Sequence, residues 1–445
     1  MSLPRAPRLR PLLALLDALA LLLAVWLAHL VRFSPADRAA KWQQLLDHPG
    51  LIVATLVAMW AAAAAAELYE PLQLRRRTET ALRVAVVTGL WGVALVVATY
   101  AVPRWEFGRG LLALTAAAWA VTAVLVRLAM ARWLQKRLRG RALVVGEPEA
   151  VAALCARLAD HPLSPWQPED GSALAAAQVA GEARARGMEL VIVVGPEAGG
   201  TPAADLAALH FSGVPVAVVS EVWAFLEGRL PIGDLSASYF LHQPGFGTIH
   251  AERFNLLTRV LDVALAAVLL LILAPFIVLG ALAVVLAHGR PAFYLQTRAG
   301  RHGRPFRLVK LRTMRRDAER DGPAFATPGD PRVTAVGRVL RRLRLDELPQ
   351  LVNVLRGEMS LVGPRPERPE FVAELAREIP YYTFRLAVPP GLTGWAQIHV
   401  PSAVTVDEHR RKLEYDLYFI RERSVGLYLF TLLRTASAAL VGAGR

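Results

Sequence analysis

The chain alternates between long apolar stretches and strongly basic polar ones. Four nearly uncharged runs fall in its first third, at about 12–31, 51–68, 82–102 and 111–131. Each has roughly the 20 residues that a helix needs to cross a hydrocarbon core of about 30 Å. Asp17 interrupts the first run near its amino-terminal end. From Gly140 the pattern changes. Apolar runs at 141–145 (RALVV), 190–194 (LVIVV) and 214–219 (VPVAVV) alternate with Ala-rich helical stretches, the signature of a small parallel α/β domain. A fifth long apolar run covers 263–287, with Pro275 in its middle. The remainder is polar, basic and amphipathic. Residues 425–440 are apolar but short, and read as an interfacial or packed helix.

Charge orients these elements. Arg5, Arg8 and Arg10 precede the first run; Arg75, Arg76, Arg77 and Arg83 lie between the second and third; Arg132, Lys136, Arg137, Arg139 and Arg141 follow the fourth. The alternate loops carry mixed charge: Arg32, Asp37, Arg38, Lys41 and Asp47 in one, Arg104, Glu106 and Arg109 in the other. The positive-inside bias therefore places both ends of a four-helix bundle in the cytoplasm. A straight fifth crossing is what composition alone would favour, but it would export Arg290, Arg298, Arg301, Arg304, Arg307, Lys310, Arg312, Arg315 and Arg316. A helix that enters the membrane at about 256, bends at Ala274–Pro275 and returns to the same face by 287 keeps them inside. Proline supplies the bend by removing a helix hydrogen bond.

The whole chain of 445 residues is 54% hydrophobic and yet carries a formal charge of +14. That pairing suits a membrane protein whose polar parts face anionic headgroups or anionic substrates, and the apolar runs argue against nucleic acid as the partner. The single cysteine, Cys155, excludes an intramolecular disulfide and a Cys-rich metal site. Three domains are expected: 1–139, a transmembrane four-helix bundle; 140–245, a degenerate Rossmann-like domain; and 250–445, a mainly helical domain containing the re-entrant helix. The first turn of the middle domain, Gly146-Glu147-Pro148, lacks the G-x-G-x-x-G fingerprint and puts a negative charge where a pyrophosphate would sit. A structural or oligomerising role is expected there, not a cofactor site.

The candidate chemistry lies in the last domain. Asp346 and Glu347 are adjacent carboxylates among Arg338, Arg341, Arg342 and Arg344. An isolated Asp-Glu pair is ordinarily a solvated helix face. Here the cations are expected to keep both groups ionised, so that Asp346 can attack phosphorus or the pair can hold Mg2+, which takes hard oxygen donors. Residues 363–367 (GPRPE) set Arg365 on a rigid turn, where its fork can meet a phosphate. Lys310 and Arg312 add further positive charge. Carboxylates, a divalent ion and clustered cations suit phosphoryl transfer. Trp395 and the Tyr381-Tyr382 pair read equally as interfacial anchors and as core aromatics.

Four motifs, in order, carry a resemblance: 310–314 (KLRTM), 345–355 (LDELPQLVNVL), 359–367 (MSLVGPRPE) and 391–397 (GLTGWAQ). From Phe254 to the carboxyl terminus the chain resembles the bacterial sugar transferases, also called monotopic phosphoglycosyl transferases or polyprenyl glycosylphosphotransferases. Four spans followed by a Rossmann-like domain look like the large members, and 365–372 (RPERPEFV) is similar to the exopolysaccharide-associated subgroup. The resemblance implies transfer of a sugar-1-phosphate from a UDP-sugar to undecaprenyl phosphate, with UMP released and a phosphosugar carried on Asp346. The reaction would initiate a surface glycan at the cytoplasmic face of the inner membrane. Glu347 would support Mg2+ binding or proton handling. Arg341 and Arg365 match family arginines suited to phosphate, and Asp416 matches a family carboxylate. The family's bend carries Ser-Pro where this chain has Ala274–Pro275. A homo-oligomer through the first two domains is the expected assembly. A scaffold that has lost catalysis would be expected to lack Asp346 or Glu347, and an anchored Rossmann enzyme would need the missing glycine fingerprint.

Overall fold

Small and aliphatic side chains dominate the amino-terminal third, and in the computed structural model they form helices at Leu9–Arg32, Arg38–Leu46, Pro49–Ala65, Arg77–Ala101 and Arg109–Arg137. The structure describes residues 9–66, 68–69, 77–101, 109–137, 140–195, 203–211, 213–247, 252–318, 320 and 330–441. Of the charges used above for orientation, Arg5, Arg8, Arg75, Arg76, Arg104, Glu106 and Arg139 lie outside them. The described residues divide into two compact units, 1–227 and 228–445.

In the first unit, helices long and apolar enough to cross a membrane run over Arg10–Arg32, Glu79–Val97 and Gly110–Arg132. The second expected span, 51–68, is a shorter helix. Pro49 starts it, as proline does at a helix's first position, and it has 17 residues, about 25 Å of rise. It meets Arg38–Leu46 at 74°, and only the bent pair together has the length of a span. The first helix packs on the Arg109–Arg137 helix, and Trp91 meets Trp119 edge to face at 6.1 Å. Asp17 is held inside this packing. Both oxygens of its carboxylate accept from Arg127 at 2.7 Å, and both side chains are about 1% exposed. The side chain that interrupts the first apolar run is thus neutralised across the helix interface.

The same unit holds a four-stranded parallel sheet of order β2-β1-β3-β4: β1 (Gly140–Val145), β2 (Trp166–Asp170), β3 (Leu190–Val193) and β4 (Val216–Val218). Three strands fall where the apolar runs predict them. β2 (WQPED) was not legible, because it is an edge strand with a polar sequence, where Pro168 costs little. Gly146 follows β1 at φ 143°, and a Cβ there would come within 2.7 Å of the Val194 carbonyl. That glycine closes β1 against β3 and offers no phosphate fingerprint.

The second unit is built on one helix of 37 residues, Glu252–His288, which is continuous through Pro275. At 1.5 Å per residue its path is about 55 Å, well beyond one bilayer core. Secondary structure is not interrupted at Ala274–Pro275. The hairpin of β5 (Phe293–Ala299) and β6 (Pro305–Leu311) follows, then the helix Ala335–Arg342, whose Leu340 packs with Val284 and Leu311. β7 (Ser360–Val362) pairs in parallel with β8 (Gly391–Thr393). The helices Pro369–Glu378, Val406–Arg421 and Val425–Val441 complete the unit. The last is packed, with Leu427, Tyr428, Phe430 and Thr431 buried. Residues 228–247, assigned from sequence mostly to the middle domain, also belong here. Arg229 pairs with Glu414 at 2.7 Å, and the Phe240 ring meets Tyr381 at a tilt and Phe384 edge to face.

Candidate active site

The adjacent carboxylates owe their placement to a sharp turn. The helix Ala335–Arg342 begins at Thr334, whose hydroxyl accepts from the Gly337 amide at 3.0 Å. It ends two residues before Arg344, which takes a left-handed conformation at φ 58°. A non-glycine residue there is sparsely populated and typical of functional turns. The turn launches a short 3-10 segment, Leu345–Gln350, that carries Asp346 and Glu347. Asn353, in the next helical turn, accepts from the Val309 amide at 3.1 Å and donates to the Arg307 carbonyl at 2.8 Å. The LVNVL motif thereby fastens the segment to β6, the strand of Lys310.

The long apolar helix is tied to the same motifs. Asp262 accepts from the Leu361 amide at 2.7 Å, the Ser360 hydroxyl at 3.1 Å and the Tyr428 hydroxyl at 2.5 Å. Arg259 donates to the carbonyls of Val354 at 2.5 Å and Leu355 at 2.7 Å. A carboxylate and a guanidinium near the start of a membrane-length helix thus hold both β7 and the end of the segment after the dyad.

Beyond β7, three glycines allow a close crossing. A Cβ at Gly363 would lie 2.5 Å from the Pro389 carbonyl, one at Gly391 2.1 Å from the Gly363 amide nitrogen, and one at Gly394 2.2 Å from the Gly363 carbonyl. This crossing sets the Pro-Arg-Pro turn. Its Arg365 donates to Glu347 Oε1 at 2.7 Å.

The two carboxylates have opposite electrostatics. Burial works against ionising Glu347, but Arg365 and Lys310 outweigh it and hold the group at about 2. Asp346, only 8% exposed, is pushed up by burial first and by the Glu347 charge second, with Lys310 and Arg341 opposing. The cations thus win over burial at Glu347, whereas at Asp346 burial wins and the shift is upward. Burial also pulls the Lys310 ammonium down to about 8, although Glu347 and Asp346 draw it back.

The structure sorts the other predicted residues. Arg341 donates to the Thr313 hydroxyl at 2.9 Å and acts electrostatically on Asp346. Arg312 donates from Nη2 to the carbonyls of His288 at 3.0 Å and Gly289 at 2.5 Å, satisfying the end of the long helix. Asp416 is buried at 1% exposure and pairs with Arg385 at 2.8 Å. Arg385 in turn donates to the Tyr382 hydroxyl and to the backbone carbonyl of Arg365 at 3.2 Å. Asp416 thus supports the arginine turn from beneath. Tyr382 and Trp395, each 2% exposed, are core residues.

Sequence reasoning assigned no role to Glu367, although it ends the GPRPE motif. Its carboxylate collects Lys412 at 3.3 Å, Arg298 at 3.6 Å and Arg385 at 3.9 Å, which hold it far below the usual carboxylate range despite burial. The signal was present as three cations and one acid, but they are scattered over more than a hundred positions and meet only in the fold.

Among the described residues, no three His, Cys, Asp or Glu side chains gather as a metal cage. Mg2+ does not require one. It is commonly held by one or two carboxylates together with water and substrate phosphates. Asp346 and Glu347 fit that manner of binding, since neighbouring hard oxygens lie among the cations Lys310, Arg341 and Arg365.

Residues 253–442 match the model of a family described as bacterial sugar transferase. The chain is 37% identical over 240 residues, 54% of its length, to the UDP-N-acetylgalactosamine-undecaprenyl-phosphate N-acetylgalactosaminephosphotransferase of Aeromonas hydrophila, of which the match spans 55%. It is 44% identical over 202 residues, 44% of its length, to the UDP-glucose:undecaprenyl-phosphate glucose-1-phosphate transferase of Caulobacter vibrioides, of which the match spans 74%. Against the enzyme of the same description from Escherichia coli it is 43% identical over 173 residues, 38% of this chain and 37% of that one. The motifs, the dyad on its 3-10 segment and these similarities converge: this chain belongs to the bacterial sugar transferase family.

Proposed function

We propose that this protein transfers a sugar-1-phosphate from a UDP-sugar to undecaprenyl phosphate at the cytoplasmic face of a bacterial inner membrane, initiating a surface glycan. The observation that carries the reading is the asymmetric carboxylate pair, Asp346 buried and raised beside Glu347 held ionised, inside a ring of Lys310, Arg341 and Arg365. The relatives named above act on undecaprenyl phosphate, which supports the acceptor.

In the first step a carboxylate oxygen of Asp346 attacks the β-phosphorus of the donor. The bond from that phosphorus to the bridging oxygen breaks, and UMP departs with the electron pair. In the second, an oxygen of the lipid phosphate attacks the same phosphorus and frees the carboxylate. Arg365 and Lys310 bind phosphate oxygens and stabilise the charge that builds on them. Glu347 stays anionic throughout, positioning Arg365. Mg2+ held by Asp346 and Glu347 would neutralise phosphate charge and ease the approach of one anion to another. Asp262 and Arg259 keep this site at the foot of the long apolar helix. A re-entrant path for that helix, bent near Ala274–Pro275, would keep the site on the side where UDP-sugars occur.

The test is UMP release by the purified full chain in nanodiscs with Mg2+, undecaprenyl phosphate and a panel of UDP-sugars, run beside Asp346→Asn. Release with one sugar, lost in the variant and on chelation, is expected. Equal release from Asp346→Asn would overturn the covalent step, and no release from any sugar by folded protein would overturn the activity.

A further inference from the structure

Away from the dyad, Arg301 at the tip of the β5–β6 hairpin and Arg423 just past the Val406–Arg421 helix lie near enough for their charges to repel, and among the described residues neither pairs with a carboxylate. Arg301 makes one contact, from Nε to the Ala387 carbonyl at 3.3 Å. Arg423 donates from Nη2 to Asn255 Oδ1 at 2.8 Å and stacks over the Phe254 ring at 4.6 Å. Its Nη1 is buried with no hydrogen-bond partner among the described residues. Burial and the neighbouring Arg301 charge pull Arg423 down to about 10. Two neighbouring like charges, one with an orphaned buried donor, are costly unless an anion completes them.

Beside them lies a cavity of about 620 Å³ lined by Phe240, Phe246, Phe384, Leu386, Leu417 and Ile420. That volume is in the range of small-molecule pockets. Ala387, whose carbonyl holds Arg301, also lines it. Phe254 and Asn255, which hold Arg423, open the apolar stretch Phe254–His288. A cationic pair, an apolar cavity and the base of a membrane-length helix therefore adjoin. A free inorganic anion would use only the first of the three.

We propose that Arg301 and Arg423 form a second anion site, separate from the catalytic dyad, that takes the phosphate of a membrane lipid with part of its apolar tail in the Phe240–Phe384–Leu417 cavity. Neither arginine belongs to the catalytic machinery, and the site stands whether or not the transfer reaction does. The partner's chemistry is a phosphate monoester or diester on a long alkyl chain.

The test uses the full chain in a neutral detergent, in the Asp346→Asn background so that nothing turns over. The probe is dodecyl phosphate carrying a photoreactive diazirine near the end of its tail, with labelled peptides mapped by mass spectrometry. Labelling is expected within 383–387 and 417–420, competed by unlabelled dodecyl phosphate and not by dodecanol or inorganic phosphate at the same concentration. Arg301→Gln with Arg423→Gln should lower it by about tenfold, the scale of lost charge-assisted hydrogen bonds. Thr383→Trp, which adds bulk at the cavity and leaves both charges, should lower it as well. Unchanged labelling in the folded double arginine variant would overturn the site. Competition by inorganic phosphate as strong as by dodecyl phosphate would make it a free-anion site, and competition by dodecanol as strong would make it merely an apolar one; either overturns the lipid proposal.

Discussion

Arg365 and Glu347 are joined at 2.7 Å across the site, and the guanidinium helps keep the carboxylate ionised. Glu347 lies at about 2, below its ordinary 4.5, because Arg365 and Lys310 overcome burial. Its depressed value adds stability above the ordinary value, which is lost as pH falls from about 4.5 toward 2. Arg365→Ala should therefore shift acid unfolding to higher pH, followed by tryptophan fluorescence. Arg365→Lys keeps the charge but not the fork. It should retain most of the acid stability and still lose about tenfold or more in kcat/KM.

Lys310 sets the opposite limb. Burial lowers its ammonium to about 8 from 10.5. Between those values the unfolded chain binds more protons than the folded one, so this group's share of folding stability rises with pH through the window. Activity should do the reverse, because the phosphate-binding charge is lost above about 8. A kcat/KM profile should fall on that side in the wild type and stay level to higher pH in Lys310→Arg, whose guanidinium remains charged. On the acid side, turnover should fall at a pH above the ordinary aspartate value, because burial and then Glu347 raise Asp346.

Asp416 tests support against contact. It sits beneath Arg365, bound to Arg385, with both side chains 2% exposed. Asp416→Asn leaves a buried guanidinium short of its counter-charge, which costs about 3 kcal/mol. The expected outcome is a lowered melting temperature with KM for the UDP-sugar nearly unchanged at a permissive temperature. A large KM increase at intact stability would instead make Asp416 a substrate ligand.

The bundle makes its own test. Asp17→Leu or Arg127→Leu alone should destabilise the first unit by about 3 kcal/mol, since each strands the other's charge in an apolar interface. The pair changed together should recover most of that loss. Thermal unfolding in nanodiscs, read as a double-mutant cycle, measures the coupling.

Much of the candidate site was legible because its charged groups cluster within short motifs. Asp346 and Glu347 are neighbours, and the glycines and prolines around Arg365 declare a tight turn. What escaped the sequence was pairing at long separation. Asp416 pairs with Arg385, and Arg312 donates to the helix-end carbonyls of His288 and Gly289, partners that no short motif announces. Glu367 looked like the end of a motif and became the meeting point of Arg298, Arg385 and Lys412. In the fold, β2 was missed because an edge strand needs no apolar run, whereas the buried β3 announces itself with four consecutive aliphatic residues.

The gathering of cations around Glu367 and Glu347 has a consequence for how the enzyme handles its medium. Arg298, Arg365, Arg385, Lys310 and Lys412 outnumber the carboxylates they share, so a multivalent anion that reaches them should be attracted. Donor capture should then weaken steeply with ionic strength while the chemical step, shielded by burial, responds little. Sulfate or inorganic pyrophosphate should raise the melting temperature of the second unit even without a sugar nucleotide, and should compete with a UDP-sugar in the transfer assay.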